Sequence, residues 1–592
     1  MGVKVLRFIY FASLMTVLVV LATMTAMLWL YSYLDFTYLI AKSAGKLEVL
    51  DLVRTRFFTM QKFLFARYLM SGLLLAYAIV LPFLIRKSEL VTVHFSEFIK
   101  EVAQFGRQWF ILIRGSSFIQ RVFAGLLFVL LLVKTIFYLQ YPVQYDEAWT
   151  YNYFVSNNLL VALSVYNNHP LFVVLANLCK HLPFSVSVNL RLPVVLFGFL
   201  SVAAMFAFLL RFFPYWVAMA GCYFFAFSGP VTFYMLYARG YILLTFFVIV
   251  STYSLFKLWV FPNEMVIKRS KWRMIFVLSC ILGFYAMPTF VYHFTILSCF
   301  GLLAAIFNKR MDWIWEMGKS IGSIVLGVSL VYMPMLLGTG IGLGVQVATE
   351  SNHWIWVWQH FSKYISRTWY FLIGTAFHWE YVLIIMLCIF WSYRQSNNQR
   401  KQITIFSLFS LAMILFAYTL QRVFIPERIW TYLAVFLSIL FAGIVSAIYS
   451  RMASNKFRLA IIGFITLCTV CTNAYLTHQN DFINWSYQRD SNSKMIANLF
   501  MLHRVQRYYL NLDYYKPMIE YYHKIEETSI QPVSGNQQSI DFQPFELQKN
   551  YEAVLWDNCI TLPEGLSERY DMQFSDDEIT VWIKKPNENT GK

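Results

Sequence analysis

Apolar residues come in long blocks separated by short charged interruptions, and block length decides what each can be. Phe8 to Leu34 is a charge-free run of 27 residues preceded by Lys4 and Arg7. A membrane-crossing helix needs about 20 residues and the core of a cleaved signal only about 7–15, so this run is expected to be a retained first span. A second span is expected over Phe63 to Ile85, closed by Arg86 and Lys87. Residues 88–117 carry too many charges to cross a bilayer, yet their apolar positions recur at helical spacing, as in an interfacial helix. From Phe118 on, apolar blocks fall at 118–140, 191–211, 215–236, 240–260, 273–288, 290–308, 318–337, 379–393, 402–421, 429–450 and 457–476. The pattern predicts an all-α polytopic membrane protein with about 13 spans.

The connections give this bundle a direction. The segments after 211 and at 257–273, 309–319, 394–401 and 451–458 are rich in Lys and Arg and recur at every second connection, as cytoplasmic loops do. The opposite, outer face then receives residues 141–190, the loop 338–378, short turns at Arg239 and Arg428, and everything after 476. Nine of the ten histidines also fall there, with only His94 opposite.

The tail changes its pattern. Residues 493–510 have helical periodicity, Ala553 to Trp556 reads as a strand, and Met572–Phe574 and Ile579–Ile583 flank Ser575-Asp576-Asp577-Glu578 as the arms of a hairpin do. Three parts are therefore expected: an N-terminal accessory membrane segment (1–117), a transmembrane core (118–476) and a small extracytoplasmic α/β domain (477–592). The tyrosines crowded into Tyr508 to Tyr522 serve either packing within that domain or the binding of an acceptor.

Composition adds an exclusion. With 59% hydrophobic residues, 19% aromatics and a mean hydropathy of +0.54, most of the 592 residues cannot form a water-soluble fold. The net charge of +17 is divided, with residues 477–592 at −6 and the membrane part at +23. Basic loops beside a bilayer explain that excess, and a nucleic-acid partner is not indicated. The eight cysteines show no paired metal spacing and read as small buried hydrophobes.

Chemistry concentrates after the first core span, in Tyr141-Pro142-Val143-Gln144-Tyr145-Asp146-Glu147-Ala148-Trp149. Two adjacent carboxylates at a membrane helix mouth are costly unless water, a partner or a substrate meets them. Either they mark the exit from the bilayer or they form a site. Arg191 opens a later span in Arg-Leu-Pro, where an anchoring cation is the ordinary use. Arg239 differs, because Tyr237 and Tyr241 flank it and Gly240 allows a tight turn, and a guanidinium fork suits phosphate. Lys134, inside the first core span, is expected to snorkel. Gly338 to Gly344 follows no strand and reads as a flexible outer loop or lid, and the tryptophans at 354, 356 and 358 as an amphipathic segment at headgroup level.

Taken in order, Asp146-Glu147, then Asn167-Asn168-His169-Pro170, Arg191-Leu192-Pro193, Ala238-Arg239-Gly240-Tyr241 and Arg428 before an aromatic span resemble the C-type membrane glycosyltransferases. The similarity covers roughly residues 118–450 and is strongest to the branch of the protein O-mannosyltransferases and the lipid A aminoarabinose transferase. The resemblance implies a multi-pass protein of the bacterial inner membrane. Such a protein moves a sugar from a polyprenyl-phosphate donor to the hydroxyl of a lipid, glycan or protein acceptor, with inversion. It makes Asp146 the catalytic carboxylate, Glu147 its neighbour in donor or metal binding, and His169, Arg239, Tyr241 and Arg428 ligands of the donor. A lysine often stands in that branch where His169 stands here, and a neutral imidazole meets phosphate less well. Divalent metal use varies among these enzymes and does not carry over; Glu147 and His169 are the residues that would hold such an ion. The rival function is a transporter or flippase of lipid-linked sugars, which calls for an ionisable path through the midplane or an internal repeat.

Overall fold

The computed structural model describes residues 3–585 apart from 44–49, 53, 56–57, 90–91, 94–95, 97–114, 158, 165–168, 261–265, 340–352, 424, 453, 479–480, 536–542, 547–548 and 550. Asn167 and Asn168, much of the expected interfacial helix and Gly340–Gly344 lie outside the described residues.

Ten helices among these residues are long and apolar enough to cross a membrane. Two of them, α1 (Val3–Leu30) and α2 (Met60–Arg86), pack on each other at the periphery. Only 11% and 6% of their apolar stretches are buried, against 78% for the central spans beginning at Tyr241 and Glu427. They share a small cluster of Leu28, Phe58, Phe63, Ala66 and Met70, which Met333 of the core joins.

The first core helix, α3 (Phe118–Leu139), opens on a reciprocal cap in which Ser117 accepts from the Gln120 amide and Gln120 returns a bond to the Ser117 N–H. A chain of short helices follows: α4 (Tyr145–Thr150), one π turn (Tyr151–Val155) and, beyond it, α5 (Pro170–Cys179). Next come α6 (Val186–Leu210), α7 (Tyr215–Phe227), α8 (Gly229–Tyr234) and α9 (Tyr241–Leu255). The core continues with α10 (Val266–Ala286), α11 (Phe290–Phe307), α12 (Met311–Thr339), α13 (Trp354–Ile373), α14 (Trp379–Arg394) and α15 (Asn398–Gln421). A 3-10 turn (Glu427–Leu433), α16 (Ala434–Arg451) and α17 (Asn455–His478) complete it.

Three expected spans differ from the ten. α7 and α14 have only 13 and 16 residues, and α10 carries Lys268, Arg269, Lys271 and Arg273 near its start. The block at 215–236 breaks because Ser228 is extended and Pro230, which has no amide to donate, stands in the first turn of a new helix. That break directs Tyr237-Ala238-Arg239 into the bundle, where all three are buried. The tryptophan segment, expected as an amphipathic stretch within a loop, opens a 20-residue helix, and this α13 is moored by Tyr364, whose hydroxyl accepts from Trp430 Nε1 at 2.9 Å. The cysteines are not uniformly buried: Cys222 and Cys280 are, whereas Cys299, Cys468, Cys471 and Cys559 are exposed.

The tail is an α/β unit. After α18 (Asp481–Leu502) come β1 (Arg507–Leu510), α19 (Lys516–Ile525), β2 (Gln531–Ser534), β3 (Ala553–Asp557), β4 (Tyr570–Ser575) and β5 (Ile579–Lys584). The sheet order is β2-β1-β3-β5-β4, with β1 parallel to β2 and β3, and the β4–β5 hairpin antiparallel. The expected helix over 493–510 ends early because Arg504 takes the left-handed conformation (φ 54°), after which Tyr508–Leu510 pair as a strand. Tyr508, Tyr515 and Tyr521 are buried in packing. The core of this unit is not its own alone: Val143 and Ala148 pack into it with Ile496, Phe500 and Tyr508.

Candidate active site

The local sequence at Gln144-Tyr145-Asp146-Glu147 makes a helix start. Glu147, the third residue of α4, turns back so that its Oε2 accepts from the Gln144 amide at 3.0 Å. Its carboxylate is fully buried and meets Arg191, whose Nε donates to Oε1 at 3.0 Å and whose second terminal nitrogen donates to Oε2 at 2.7 Å. The Ala238 amide supplies a further bond to Oε1 at 2.7 Å. Each carboxylate oxygen of Glu147 therefore accepts two hydrogen bonds.

Arg191 does not snorkel, contrary to the sequence expectation. Ser185 caps α6, so the helix begins five residues before the apolar block and Arg191 lies inside its second turn rather than at its edge. The rest of the guanidinium donates to the carbonyls of Tyr141 and Pro142, both at 2.9 Å. One ion pair thus ties the C-terminal end of α3, the start of α4, α6 and the 238–240 turn together. Breaking such a pair leaves an uncompensated charge, at a cost of about 3–5 kcal/mol.

Asp146 points the other way. Its side chain is 16% exposed, and its Oδ2 lies 3.0 Å from a terminal nitrogen of Arg428 and 3.9 Å from one of Arg239. Arg239 is held by its other terminal nitrogen, which donates to Thr150 Oγ1 at 2.7 Å and to the Asp146 carbonyl at 3.3 Å. Thr150, one helical turn after Asp146, donates its own proton to that same carbonyl at 2.7 Å. Arg428 sits at the start of the 3-10 turn and is 44% exposed, so the two cations differ: one is fixed and one reaches in from the surface.

Gly240 acts through its lack of a side chain and not through an unusual turn, since its φ is −74°. A methyl group there would come within 2.6 Å of the Ala286 carbonyl and 2.8 Å of His169 Nδ1. His169 precedes Pro170 at the start of α5, is buried, and meets the Tyr241 ring edge-on at 5.0 Å. Burial, then the Arg239 and Arg428 guanidiniums, hold its imidazole well below the ordinary histidine value, so it is neutral. His293 and His523 are buried elsewhere, His293 beside the Ser251 hydroxyl and His523 beside that of Thr528.

Asp146, Arg239, Tyr241, His169 and Arg428, drawn from four elements and a turn, thus converge, while Glu147 stands beside them locked to Arg191. The residues do not fit a bound metal. Glu147 has no lone pair left for one, and no group of three or more His, Cys, Asp or Glu with metal-binding geometry occurs among the described residues. Sequence reasoning missed Thr150, whose only signal was its spacing of four from Asp146. It also missed the Ala238 amide, which no side-chain pattern announces. Lys134 likewise turns inward: Nζ donates to the Ala226 carbonyl at 2.8 Å and to Thr232 Oγ1 at 3.4 Å.

Neither a family model nor a curated protein matches the sequence. Solved structures do. ArnT from Cupriavidus metallidurans bound to undecaprenyl phosphate aligns over 79% of this chain and 98% of its own, at TM-score 0.50 and 11% identity. Its apo state aligns over 78% and 99% at TM-score 0.48 and 12% identity. The Archaeoglobus fulgidus oligosaccharyltransferase in complex with Zn and sulfate aligns over 72% and 67% at TM-score 0.42 and 10% identity. With ArnT matched along nearly its whole length, the chain has the fold of the C-type membrane glycosyltransferases.

Proposed function

We propose that this protein transfers a sugar from a polyprenyl-phosphate donor to an acceptor hydroxyl at the outer side of a cell membrane, with Asp146 as general base. The observation that carries the reading is the contrast within one dipeptide. Glu147 has all its lone pairs engaged, whereas Asp146 keeps Oδ1 without a hydrogen bond among the described residues and shares Oδ2 with two guanidiniums.

That arrangement suits a phosphate leaving group. The donor's phosphodiester anion, which becomes a more highly charged monoester as the sugar departs, matches guanidinium forks better than a single carboxylate oxygen does, so the donor would draw Arg428 and Arg239 toward itself and release Asp146. The acceptor O–H then gives its proton to Asp146 while its oxygen bonds to the anomeric carbon. The carbon–phosphate-oxygen bond breaks, and the electron pair leaves on polyprenyl phosphate, which the two arginines stabilise. A single displacement inverts the anomeric centre and needs no second carboxylate nucleophile. His169, neutral and buried, supports the Gly240–Tyr241 turn in place of contributing charge to the phosphate. The ArnT structure that this fold resembles holds undecaprenyl phosphate, which supports a carrier lipid as partner here.

The tail domain would lie on the outer side with the site, because it packs directly on Val143 and Ala148. A transporter is less well supported: among the described residues the buried carboxylates and guanidiniums are Glu147, Arg191, Arg239 and Asp490, and the first three belong to this one site. The test is reconstitution of the purified chain with polyprenyl-phosphate sugars and an envelope extract, followed by mass spectrometry of the acceptors. Movement of intact lipid-linked sugar across the membrane without sugar transfer would favour the transporter.

A further inference from the structure

The guanidinium of Arg239 has one side engaged and one edge open. One terminal nitrogen is committed to Thr150 Oγ1 at 2.7 Å and to the Asp146 carbonyl at 3.3 Å. The other terminal nitrogen stops 3.9 Å from Asp146 Oδ2, and Nε is buried with no hydrogen-bond partner among the described residues. A guanidinium carries its five N–H donors in a fixed plane, and Nε lies along the same edge as this second terminal nitrogen. That edge is a fork able to meet an oxyanion with two parallel bonds, as the equivalent edge of Arg191 meets Glu147. A buried N–H without a partner is costly, so the open edge calls for an acceptor on a bound ligand.

Which edge stays open depends on Thr150. Its hydroxyl proton goes to the Asp146 carbonyl at 2.7 Å, so the oxygen turns its lone pairs to Arg239 and can only accept there. Thr150 is buried, and its branched Cβ restricts the rotamers open to it. It ends α4, and the π turn that follows is fastened from the tail: Asn152 donates to the Pro517 carbonyl at 2.8 Å, while Lys524 Nζ donates to the Asn152 carbonyl at 3.1 Å and to Ser156 Oγ at 2.7 Å. The acceptor that holds Arg239 thus stands on backbone tied on both sides, by Glu147 before it and by α19 after it. Without that acceptor the carboxylate nearest to hand is Asp146, and closing the 3.9 Å gap would occupy the base and the fork together.

We propose that Thr150 is a positioning residue for the transfer. It selects the edge of Arg239 that is presented to the donor, and it keeps that guanidinium from pairing fully with Asp146. Thr150 touches no atom of the donor and acts only through Arg239. The proposal rests on the reading that Arg239 meets the donor's phosphate.

The experiment is a double-mutant cycle read as binding of polyprenyl monophosphate to the full chain in neutral-lipid nanodiscs, with polyprenol as the uncharged control. The set is wild type, Thr150→Val, Arg239→Ala and the double variant, with Thr150→Ser alongside. Phosphate-dependent binding should fall about tenfold in Thr150→Val and stay near wild type in Thr150→Ser, which keeps the hydroxyl. In the Arg239→Ala background the same Thr150→Val change should cost less than about twofold, because the residue it acts through is gone. Polyprenol binding should be equal throughout. A loss of the same size in both backgrounds, or one that extends to polyprenol, makes Thr150 a packing residue and overturns the proposal while the phosphate contact of Arg239 stands. Wild-type binding by Arg239→Ala would instead remove the reading beneath it, and the proposal with it. If Thr150→Val does not insert, Thr150→Ala removes the hydroxyl with less demand on packing and gives the same comparison.

Discussion

The ring of Tyr145 stacks on the ring of Tyr514 at 4.9 Å and 14°, joining the residue before Asp146 to the loop after β1 of the tail domain. The contact belongs to a wider seam in which Tyr141 meets Tyr487 at 4.7 Å, and Asn152 donates to the Pro517 carbonyl at 2.8 Å. The tail therefore braces the backbone from which Asp146 projects.

Truncating Tyr514 tests this. A stacked aromatic pair contributes about 0.5–1.5 kcal/mol beyond its buried area, so Tyr514→Ala should lower kcat for transfer by roughly threefold to tenfold with donor affinity nearly unchanged. Tyr514→Phe should stay close to wild type. Equal kcat for Tyr514→Ala and wild type would mean that the tail is merely appended.

Glu147→Gln leaves Arg191 buried opposite a neutral amide. The expected result is a loss of stability of about 3–5 kcal/mol, read as a lower unfolding temperature in detergent, with a much smaller loss in Glu147→Gln combined with Arg191→Met. A Glu147→Gln protein of normal stability and no activity would instead make Glu147 a participant in the chemistry.

The pattern of apolar blocks made the bundle legible, and the order of short polar motifs located Asp146, Arg239 and Arg428. What stayed hidden depends on distances across the chain. Nothing near Arg191 says that it lies in a second turn facing Glu147, since 44 residues separate the two. The break at Ser228-Gly229-Pro230 was readable as a breaker but lay within one long apolar block, and the early end of α18 depends on the conformation of one residue, Arg504.

Gly240→Ala should be disproportionately damaging for a single methyl group, because backbone and the imidazole crowd that point. The turn that presents Arg239 would shift, and donor affinity should fall by tenfold or more while expression stays near normal. Binding like that of wild type would show that the Ala286 and His169 positions yield easily.

The pH dependence has a definite sign. His169 is neutral when folded, with its value well below the ordinary one of about 6.5, so the unfolded chain binds a proton that the folded chain does not. Its contribution to stability is fully present above about pH 6.5 and declines as pH falls below that. The unfolding temperature of His169→Gln should accordingly decline less than that of wild type between pH 7 and pH 5; parallel declines would remove His169 from the account.

Arg239→Ala should weaken donor binding by about 1.5–3 kcal/mol, roughly tenfold to a hundredfold, and Arg239→Lys should restore only part of it because an ammonium lacks the fork. Arg428, half exposed, should show the smaller effect and the stronger salt dependence. Equal binding by Arg239→Ala and wild type would leave Arg239 a structural tie to Thr150.

The most direct measurement is transfer by Asp146→Asn, using purified polyprenyl-phosphate sugar and an acceptor extract, with donor binding followed separately. Asparagine keeps the size but cannot take the acceptor's proton, and it competes less for Arg428 and Arg239. Donor affinity should hold or rise, stability should be normal, and transfer should fall by about 10²-fold or more. Transfer within a few-fold of wild type, with donor bound, would contradict the central claim.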